Sequence, residues 1–226
     1  ESGSMSEPAR EVSAARIAVM NTLPGADVPG ETPLQHLHLP APGNDEEVAL
    51  ALEEVGLLGH LVLRCCLDNS AQVAAFERAV GLPLPVSPLR AASAGDRVVR
   101  WISPDEWLIT TPSAQAFAIE TQIHGTMPGH YSLVDVSGGF TVYRVSGPRV
   151  PELLKRCVSV DLHIAKFPVD KVVSTVFAKH QALVHRRAED AFELVVRRSY
   201  AEYLWRWLHN VAQQVVLVAN EEPSRR

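Results

Sequence analysis

The stretch from Leu133 to Val160 constrains the fold more than any other part of the chain. An apolar run, Leu133–Val136, is followed by Ser137-Gly138-Gly139 and then by Thr141–Ser146, which alternates in polarity like a half-buried strand. Glycines between two strands are typical of a hairpin whose turn residues take positive φ. Gly147-Pro148 breaks the second strand, and apolar residues at helical spacing follow. The stretch therefore predicts a strand, a hairpin turn, a strand and a helix.

Comparable elements lie on both sides of this stretch. Before it, the pattern predicts strands at 56–64, 98–102, 107–111 and 131–136, a helix capped by Ser70 and ended by Gly81, and a second helix at 113–124. The helix within the stretch covers 151–157. After the stretch come strands at 172–178, 182–187 and 192–197, and a last helix in which Ser199 and Glu202 form a capping box. The order β-α-β-β-α-β is the split βαβ arrangement. We therefore predict an α+β fold of two ferredoxin-like halves packed together.

This order divides the chain into four parts. Residues 1–46 form a proline-rich arm without a sustained period, residues 47–136 the first half, residues 137–220 the second half, and residues 221–226 a loose tail.

Composition and charge exclude several classes of protein. The chain has 226 residues, 46% of them hydrophobic, which is enough for a core. Acidic residues outnumber basic ones 26 to 21, which argues against a nucleic-acid partner. No apolar run has the roughly 20 residues that a bilayer span needs, and no signal peptide is visible. Three cysteines do not form a disulfide framework, and a cytoplasmic location is expected.

Candidate catalytic residues are few. Asp135-x-Ser137 could hold a nucleophile, but Ser and Gly are also what a turn requires. Asp161-x-His163 could be a base oriented by a carboxylate, yet the sequence gives it no partnered serine or cysteine nucleophile. The cysteines, Cys65, Cys66 and Cys157, are predicted to be small buried hydrophobic residues rather than reactive thiolates. We therefore predict no catalytic, cofactor-binding or metal-binding residue on this chain.

The arm contains the first candidates for an interface. Pro33–Leu39 alternates apolar and polar residues, so it could add an extended strand to a neighbouring sheet edge. His36-x-His38 also has the spacing of a metal chelate, without a third ligand nearby in sequence. The last helix is predicted to have one apolar stripe, which consists of Tyr200, Tyr203, Leu204, Trp207, Leu208 and Val211. Trp205 projects away from that stripe. The residues predicted to meet a partner are His36, Leu37, His38, Leu39, Trp107 and Trp205.

Several phrases of the sequence, taken in order, resemble one family. They are LPLPVSP at 82–88, WISPDEWL at 101–108, VDVSGGFTVYRVSGP at 134–148, Cys157 with VDLH at 160–163, Phe167-Pro168, and FELVVRRSYAEYLWRWL at 192–208. From about residue 50 to 212 the chain resembles the gamma subunit of heterotetrameric sarcosine oxidase. The Pro-Asp-Glu-Trp turn and the aromatic-rich last helix are the most specific of these phrases.

The resemblance implies a non-catalytic structural subunit that packs mainly on alpha and beta subunits, with a delta subunit in the same assembly. It implies that FAD, FMN, NAD, tetrahydrofolate and zinc are bound by those partners, which together demethylate sarcosine to glycine. It also implies a fold similar to part of the aminomethyltransferase and folate-binding proteins.

Two alternatives remain open from the sequence. One is a small stand-alone folate-binding or one-carbon-transfer protein that uses Asp135, Asp161 or His163, although no stretch matches an acidic pterin site. The other is a paralogous complex acting on a different N-methylated amine.

Overall fold

A computed structural model describes residues 30–38 and 49–221 of the chain. Within these ranges the chain forms ten strands and four α-helices. In order they are β1 (Ala51–Val55), β2 (Leu58–Arg64), α1 (Ser70–Val80), β3 (Ala91–Ala94), β4 (Arg97–Ser103), β5 (Glu106–Pro112), α2 (Ser113–Thr126), β6 (Ser132–Asp135), β7 (Phe140–Ser146), α3 (Val150–Lys155), β8 (Val172–Phe177), β9 (His180–Ala188), β10 (Ala191–Arg197) and α4 (Ala201–Glu221). Side chains are described as far as residue 217 in α4. The predicted α+β class is confirmed.

The strands form two antiparallel sheets of five. Sheet I has the order β3-β4-β5-β2-β6, and sheet II has the order β8-β9-β10-β7-β1. In sheet I the strands β2, β4, β5 and β6 and the two helices α1 and α2 follow the predicted split βαβ order, and β3 is an added edge strand. Sheet II has the same layout, but its closing position is taken by β1, the first strand of the chain segment predicted as the first half. The expected division at residue 136 therefore does not separate the sheets, because β1 lies in sheet II.

The sheets face each other, and the helices cover their outer faces. Alternate strand residues point to opposite sides of a sheet, so each sheet contributes to two cores. The outer core of sheet I packs Leu61, Trp107 and Ile109 against α1 and α2. The outer core of sheet II packs Tyr143 and Phe192 against α3 and α4. The layer order is helix, sheet I, sheet II, helix.

Between the sheets, one side of the contact is apolar and the other is charged. Leu108 of β5 meets Val142 and Val195 of sheet II in the apolar part. In the charged part, Arg100 Nη2 of β4 lies 2.5 Å from Glu193 Oε2 of β10, and both side chains are buried. A buried pair with well-placed partners fixes how two elements pack more than it adds stability. This pair joins the two halves of the molecule.

The glycine turn after β6 is not the predicted hairpin. Ser137–Gly139 is a short 3-10 helix that carries the chain from β6 in sheet I to β7 in sheet II. The backbone N–H of Ser137 donates to Asp135 Oδ1 at 2.8 Å, and the N–H of His60 donates to Ser137 Oγ at 2.9 Å. Neither glycine of this turn has positive φ. The hydrogen bond from His60 holds the turn on β2, and the next strand continues into the other sheet.

Two helix starts also differ from the prediction. Asn69, not Ser70, caps α1, because its side chain accepts hydrogen bonds from the N–H groups of residues 71 and 72. The capping box of Ser199 and Glu202 is not formed. A 3-10 turn, Arg198–Tyr200, precedes α4, and the Glu202 carboxylate instead binds Arg206 at 2.7 Å.

Candidate interaction surfaces

The described part of the arm is folded against its own chain. Gln35–Leu37 is a 3-10 turn rather than the predicted extended strand. Leu34 is buried in the core of sheet II, and its backbone N–H donates to Glu54 Oε2. His36 Nε2 lies 3.2 Å from Glu202 Oε2 of α4. His36 and His38 are exposed and Leu37 is half-buried, whereas Leu39 lies outside the described residues.

The two predicted interface tryptophans lie inside the molecule. Trp107 has no exposed surface, and its indole N–H donates to the carbonyl of Pro85 at 2.8 Å. Trp205 is 6% exposed and meets Tyr143 edge-on, with 5.3 Å between ring centroids. The predicted direction of Trp205 is therefore wrong, because the core side of α4 is the one that carries Leu204, Leu208 and Trp205. Trp107 cannot present its ring to a partner, and Trp205 presents only its edge.

An apolar groove lies between β1 and α4. Its lining residues are Leu50, Leu52, Trp205, His209, Ala212, Gln213, Val216 and Leu217, and its volume is about 570 Å³. Leu217 is 61% exposed, which is unusual for a large apolar side chain. Within the described residues, no strand pairs with the outer edge of β1. An open strand edge beside exposed apolar side chains is a surface that another chain can cover.

An aromatic patch lies on α4, the 3-10 turn before it and the first residue of β9. It consists of His180, Tyr200, Tyr203 and Trp207. The rings of His180 and Tyr200 stack at 3.8 Å, and Tyr203 meets His180 edge-on at 5.3 Å. Tyr200, Tyr203 and Trp207 are each more than one third exposed. The sequence predicted that these three residues belong to the buried apolar stripe of the last helix. In the structure they lie at the exposed margin of that stripe.

A cleft of about 400 Å³ opens between the two sheets at their apolar side. Val62, Leu108, Phe140 and Leu183 form much of its wall, and the Arg197 guanidinium lies 4.5 Å from the Phe140 ring centroid. Asp135, Asp161 and His163 line neither this cleft nor the apolar groove. The residues of the folate hypothesis thus do not meet at either cavity.

The proposed acid–base pairs have structural roles instead. The Asp135 carboxylate accepts from Ser137, as described above. The Asp161 carboxylate accepts from the backbone N–H of His163 at 2.9 Å, rather than from its ring. Burial raises the pKa of Cys65 to about 11, and burial likewise raises that of Cys157 to about 11. These two thiols stay protonated near neutral pH, where only the thiolate would be strongly nucleophilic.

Two buried histidines flank the charged contact between the sheets. Burial, followed by the positive charge of Arg100, lowers the pKa of His60 to about 4. Burial, followed by Arg100 and then Arg187, lowers the pKa of His185 to about 2. Both rings are therefore neutral at pH 7. Sequence reasoning missed this cluster, since single histidines and arginines in separate strands carry no signal of a shared position.

Across residues 30–38 and 49–221, no three His, Cys, Asp or Glu side chains are placed to hold a metal ion together. No helix within these ranges is both long and apolar enough to cross a membrane. The His36-x-His38 pair faces Glu202 through His36 alone.

Comparison with known sequences identifies a family. Residues 64–214 match the model described as "Sarcosine oxidase, gamma subunit family". The chain is 29% identical over 191 residues to a sarcosine oxidase subunit gamma from Arthrobacter sp., covering 83% of this chain and 92% of that one. It is 28% identical over 190 residues to the same subunit from Corynebacterium sp. (strain P-1), with the same coverage of each chain.

Comparison with solved structures agrees. A chain of the heterotetrameric sarcosine oxidase from Corynebacterium sp. U-96, determined in complex with pyrrole 2-carboxylate, superposes with a TM-score of 0.71 at 26% identity. The match covers 82% of this chain and 96% of that chain. The aminomethyltransferase of the glycine cleavage system from Bartonella henselae superposes with a TM-score of 0.51 at 14% identity, over 78% of this chain and 48% of that one. The latter likeness shows a shared fold.

The family model spans well over half of the 226 residues, and the fold agrees along nearly the whole of a solved relative. The resemblance found in the sequence is thereby confirmed, and the chain belongs to the sarcosine oxidase gamma subunit family.

Proposed function

We propose that this chain is a non-catalytic structural subunit of a heterotetrameric, flavin-dependent sarcosine oxidase. The observation that carries the proposal is the superposition on a chain of such an oxidase over 96% of that chain's length. The reaction of the assembly would be oxidative N-demethylation of sarcosine to glycine, with hydrogen peroxide and either formaldehyde or methylene-tetrahydrofolate as the other products.

The partners in this proposal are alpha, beta and delta subunits, with alpha and beta making most of the contact. In this proposal, FAD, FMN, NAD, tetrahydrofolate and zinc are bound by those subunits. This chain contributes shape and apolar surface, and the assembly is expected in the cytoplasm.

The apolar groove is the surface that best suits a partner subunit. Leu50 and Leu52 of the β1 region and Leu217 of α4 form apolar walls around an open strand edge. Each Å² of apolar surface that a partner removes from water stabilises the complex by about 25 cal/mol. A few buried contacts at the centre of an interface usually give most of its binding energy.

Co-expression with the chains encoded beside it tests the proposal, with an affinity tag on this chain alone. We expect larger chains to elute with it and to carry flavin absorption in the visible spectrum. A colourless eluate containing this chain alone would contradict the proposal.

A pair of variants tests the groove. Leu217→Asp should lower the amount of co-eluting flavin-containing chain at least about tenfold, as loss of a central interface contact does. Val86→Asp is the matched control, because Val86 is also 61% exposed but lies in the loop after α1. If both variants retain equal amounts of the flavin-containing chain, the partner subunit does not bind in the apolar groove.

The folate-binding alternative is not favoured. Its three candidate residues form turns or lie away from the described cavities. Titration calorimetry of the isolated chain with tetrahydrofolate should give no heat of binding beyond dilution.

A further inference from the structure

The proposed function does not account for the cleft between the two sheets. This cleft opens where β5 of sheet I begins and β10 of sheet II ends. Glu106 lines it from β5, and Arg197 lines it from β10 on the opposite wall. The interior is apolar and includes Val62, Leu108 and Leu183. Its volume of about 400 Å³ is typical of a pocket for a small ligand.

The contacts between β5 and β10 show which residues of the two sheets face each other. Arg100 donates to Thr110 Oγ1 of β5 at 2.7 Å and to Glu193 Oε2 of β10 at 2.5 Å, so these two acceptors lie at the same level. Leu108 and Val195, each two residues nearer the cleft, belong to one apolar cluster. The two strands therefore run in opposite directions across the contact.

The next residues on these two faces are Glu106 and Arg197, which lie across the mouth of the cleft from each other. Within residues 30–38 and 49–221, neither side chain forms a salt bridge. Arg64, which is opposite Glu106 in the pairing of β2 with β5, binds Asp105 Oδ2 at 2.7 Å instead. The Arg197 guanidinium is exposed and lies against the Phe140 ring. Both charges are therefore available to a ligand.

The position of the charges defines the kind of ligand. Because both charges lie at the mouth and the interior is apolar, the ligand needs a negative and a positive group at one end and an apolar body at the other. An α-amino acid with an apolar side chain has this form, since its two charged groups are bonded to the same carbon. A guanidinium binds a carboxylate through two parallel hydrogen bonds, and a carboxylate accepts hydrogen bonds from an ammonium group.

We propose that the cleft binds a free α-amino acid with an apolar side chain. Arg197 binds its carboxylate and Glu106 binds its ammonium group. Its side chain lies between the sheets, against Leu108 and Leu183. The site is formed by this chain alone, so this inference goes beyond the proposed function and does not depend on it.

Titration calorimetry of the full-length chain tests the site, with L-leucine as the probe. Three analogues each lack one feature of this ligand: isocaproate lacks the ammonium group, isoamylamine lacks the carboxylate, and glycine lacks the apolar body. We expect L-leucine to bind, and each analogue to bind at least about tenfold more weakly, because each loses a charged contact or the apolar one.

Two variants assign the charged groups. Glu106→Gln should weaken the binding of L-leucine at least about tenfold without weakening that of isocaproate, which has no ammonium group. Arg197→Gln should weaken L-leucine by a similar factor without weakening isoamylamine. Damage to the fold would weaken every ligand alike. Glu77→Gln and Arg78→Gln, at exposed positions of α1, make the same changes in net charge and should bind L-leucine as the wild type does.

The site is disproved if L-leucine gives no heat beyond dilution, or if Glu106→Gln and Arg197→Gln bind it as tightly as the wild type. If L-leucine gives no heat and Arg197→Gln instead loses a co-expressed chain, the cleft is a contact with a partner subunit. A wild type that captures flavin-containing chains but does not bind L-leucine overturns the inference and leaves the proposed function standing.

Discussion

The two halves of this molecule have the same sheet layout but complete it in different ways. In sheet I the closing strand, β6, follows α2 directly. In sheet II the closing strand is β1, which pairs with β7 across more than 80 residues of intervening chain. A long loop must be closed before such a pairing can form, and this costs entropy. Half of the molecule therefore depends on a strand that precedes the other half.

The same difference explains how the halves are held together. β1 leads directly toward β2 of sheet I, and the short turn at Ser137–Gly139 leads from β6 to β7. Within the described residues, the sheets are connected by these two covalent crossovers, by the buried ion pair and by a backbone bridge between Arg90 and Lys171. We expect the halves to unfold as one cooperative unit, and the following changes test that comparison.

The largest effect is expected at the ion pair between the halves. Glu193→Ala leaves the buried guanidinium of Arg100 without its carboxylate, which costs about 3–5 kcal/mol of unfolding free energy. Urea denaturation followed by circular dichroism measures the loss. Glu152→Ala, which breaks partly exposed pairs on α3, should cost less than about 1 kcal/mol. Similar losses for the two variants would mean that the contact between the sheets is not set by this pair.

Acidification should act on the same contact. Because the pKa values of His60 and His185 are lowered by burial, the unfolded chain takes up protons below about pH 6.5 that the folded chain does not. Above that pH the two histidines do not change the free energy of unfolding. Below it, each histidine lowers the free energy of unfolding by roughly 1.4 kcal/mol per pH unit. The effect of His60 ends near pH 4, and that of His185 continues to lower pH.

Urea denaturation at pH 7.5, 6.5 and 5.5 measures this dependence, and we expect a loss of about 3 kcal/mol at the lowest value from the two histidines together. His185→Leu removes one of the titrating groups. It should reduce the slope of the unfolding free energy against pH by an amount that corresponds to about one proton. An unchanged slope in that variant would assign the acid sensitivity to other groups.

Gly147→Ala should destabilise the protein at the point where the end of β7 meets the start of β1. The φ of Gly147 is 120°, and an added Cβ would lie 2.6 Å from the carbonyl oxygen of Ala49, just before β1. Strained backbone of this kind costs roughly 1–3 kcal/mol. Gly138→Ala is the control, because a Cβ there meets nothing within 4 Å and the residue has no positive φ. Thermal unfolding compares the two, and a smaller shift for Gly147→Ala than for Gly138→Ala would contradict the close approach.

The smallest effect is expected at the cap of α1, in the first half. Asn69→Ala removes the side-chain acceptor for two backbone N–H groups and should cost about 1 kcal/mol. Ser70→Ala should cost almost nothing, since Ser70 is exposed and does not cap the helix. If the halves are one cooperative unit, Asn69→Ala shifts a single transition. A shift of only part of the unfolding signal would show that they are separable.

Much of the fold could be predicted from local pattern. Alternation at 140–146 and the Pro-Asp turn between β4 and β5 were placed correctly because strand period and turn chemistry are properties of a few adjacent residues. The hairpin at Ser137–Gly139 was wrong for the opposite reason. Its two strands belong to different sheets, and the hydrogen bond that holds the turn on β2, from the N–H of His60 to Ser137, joins residues 77 positions apart in the chain.

The interaction surfaces were harder to predict. The spacing of the last helix is compatible with two overlapping apolar stripes, and the aromatic residues were assigned to the buried one. Burial instead follows Leu204, Trp205 and Leu208, because the side of α4 that faces Tyr143 is set by sheet II. Leu50 and Leu52 gave no signal of a groove, since the groove exists only when β1 lies beside α4.

By itself, the sequence determined the class of fold, the positions of most strands and helices and the membership of a family, because these follow from residue period, turn chemistry and a specific order of motifs. Only the tertiary structure decided that β1 closes the second sheet, that Trp107 and Trp205 are buried, and that Arg100 meets Glu193 across the halves. Each of these is a contact between residues far apart in the chain, and which distant residues meet is settled when all the packing requirements are satisfied together.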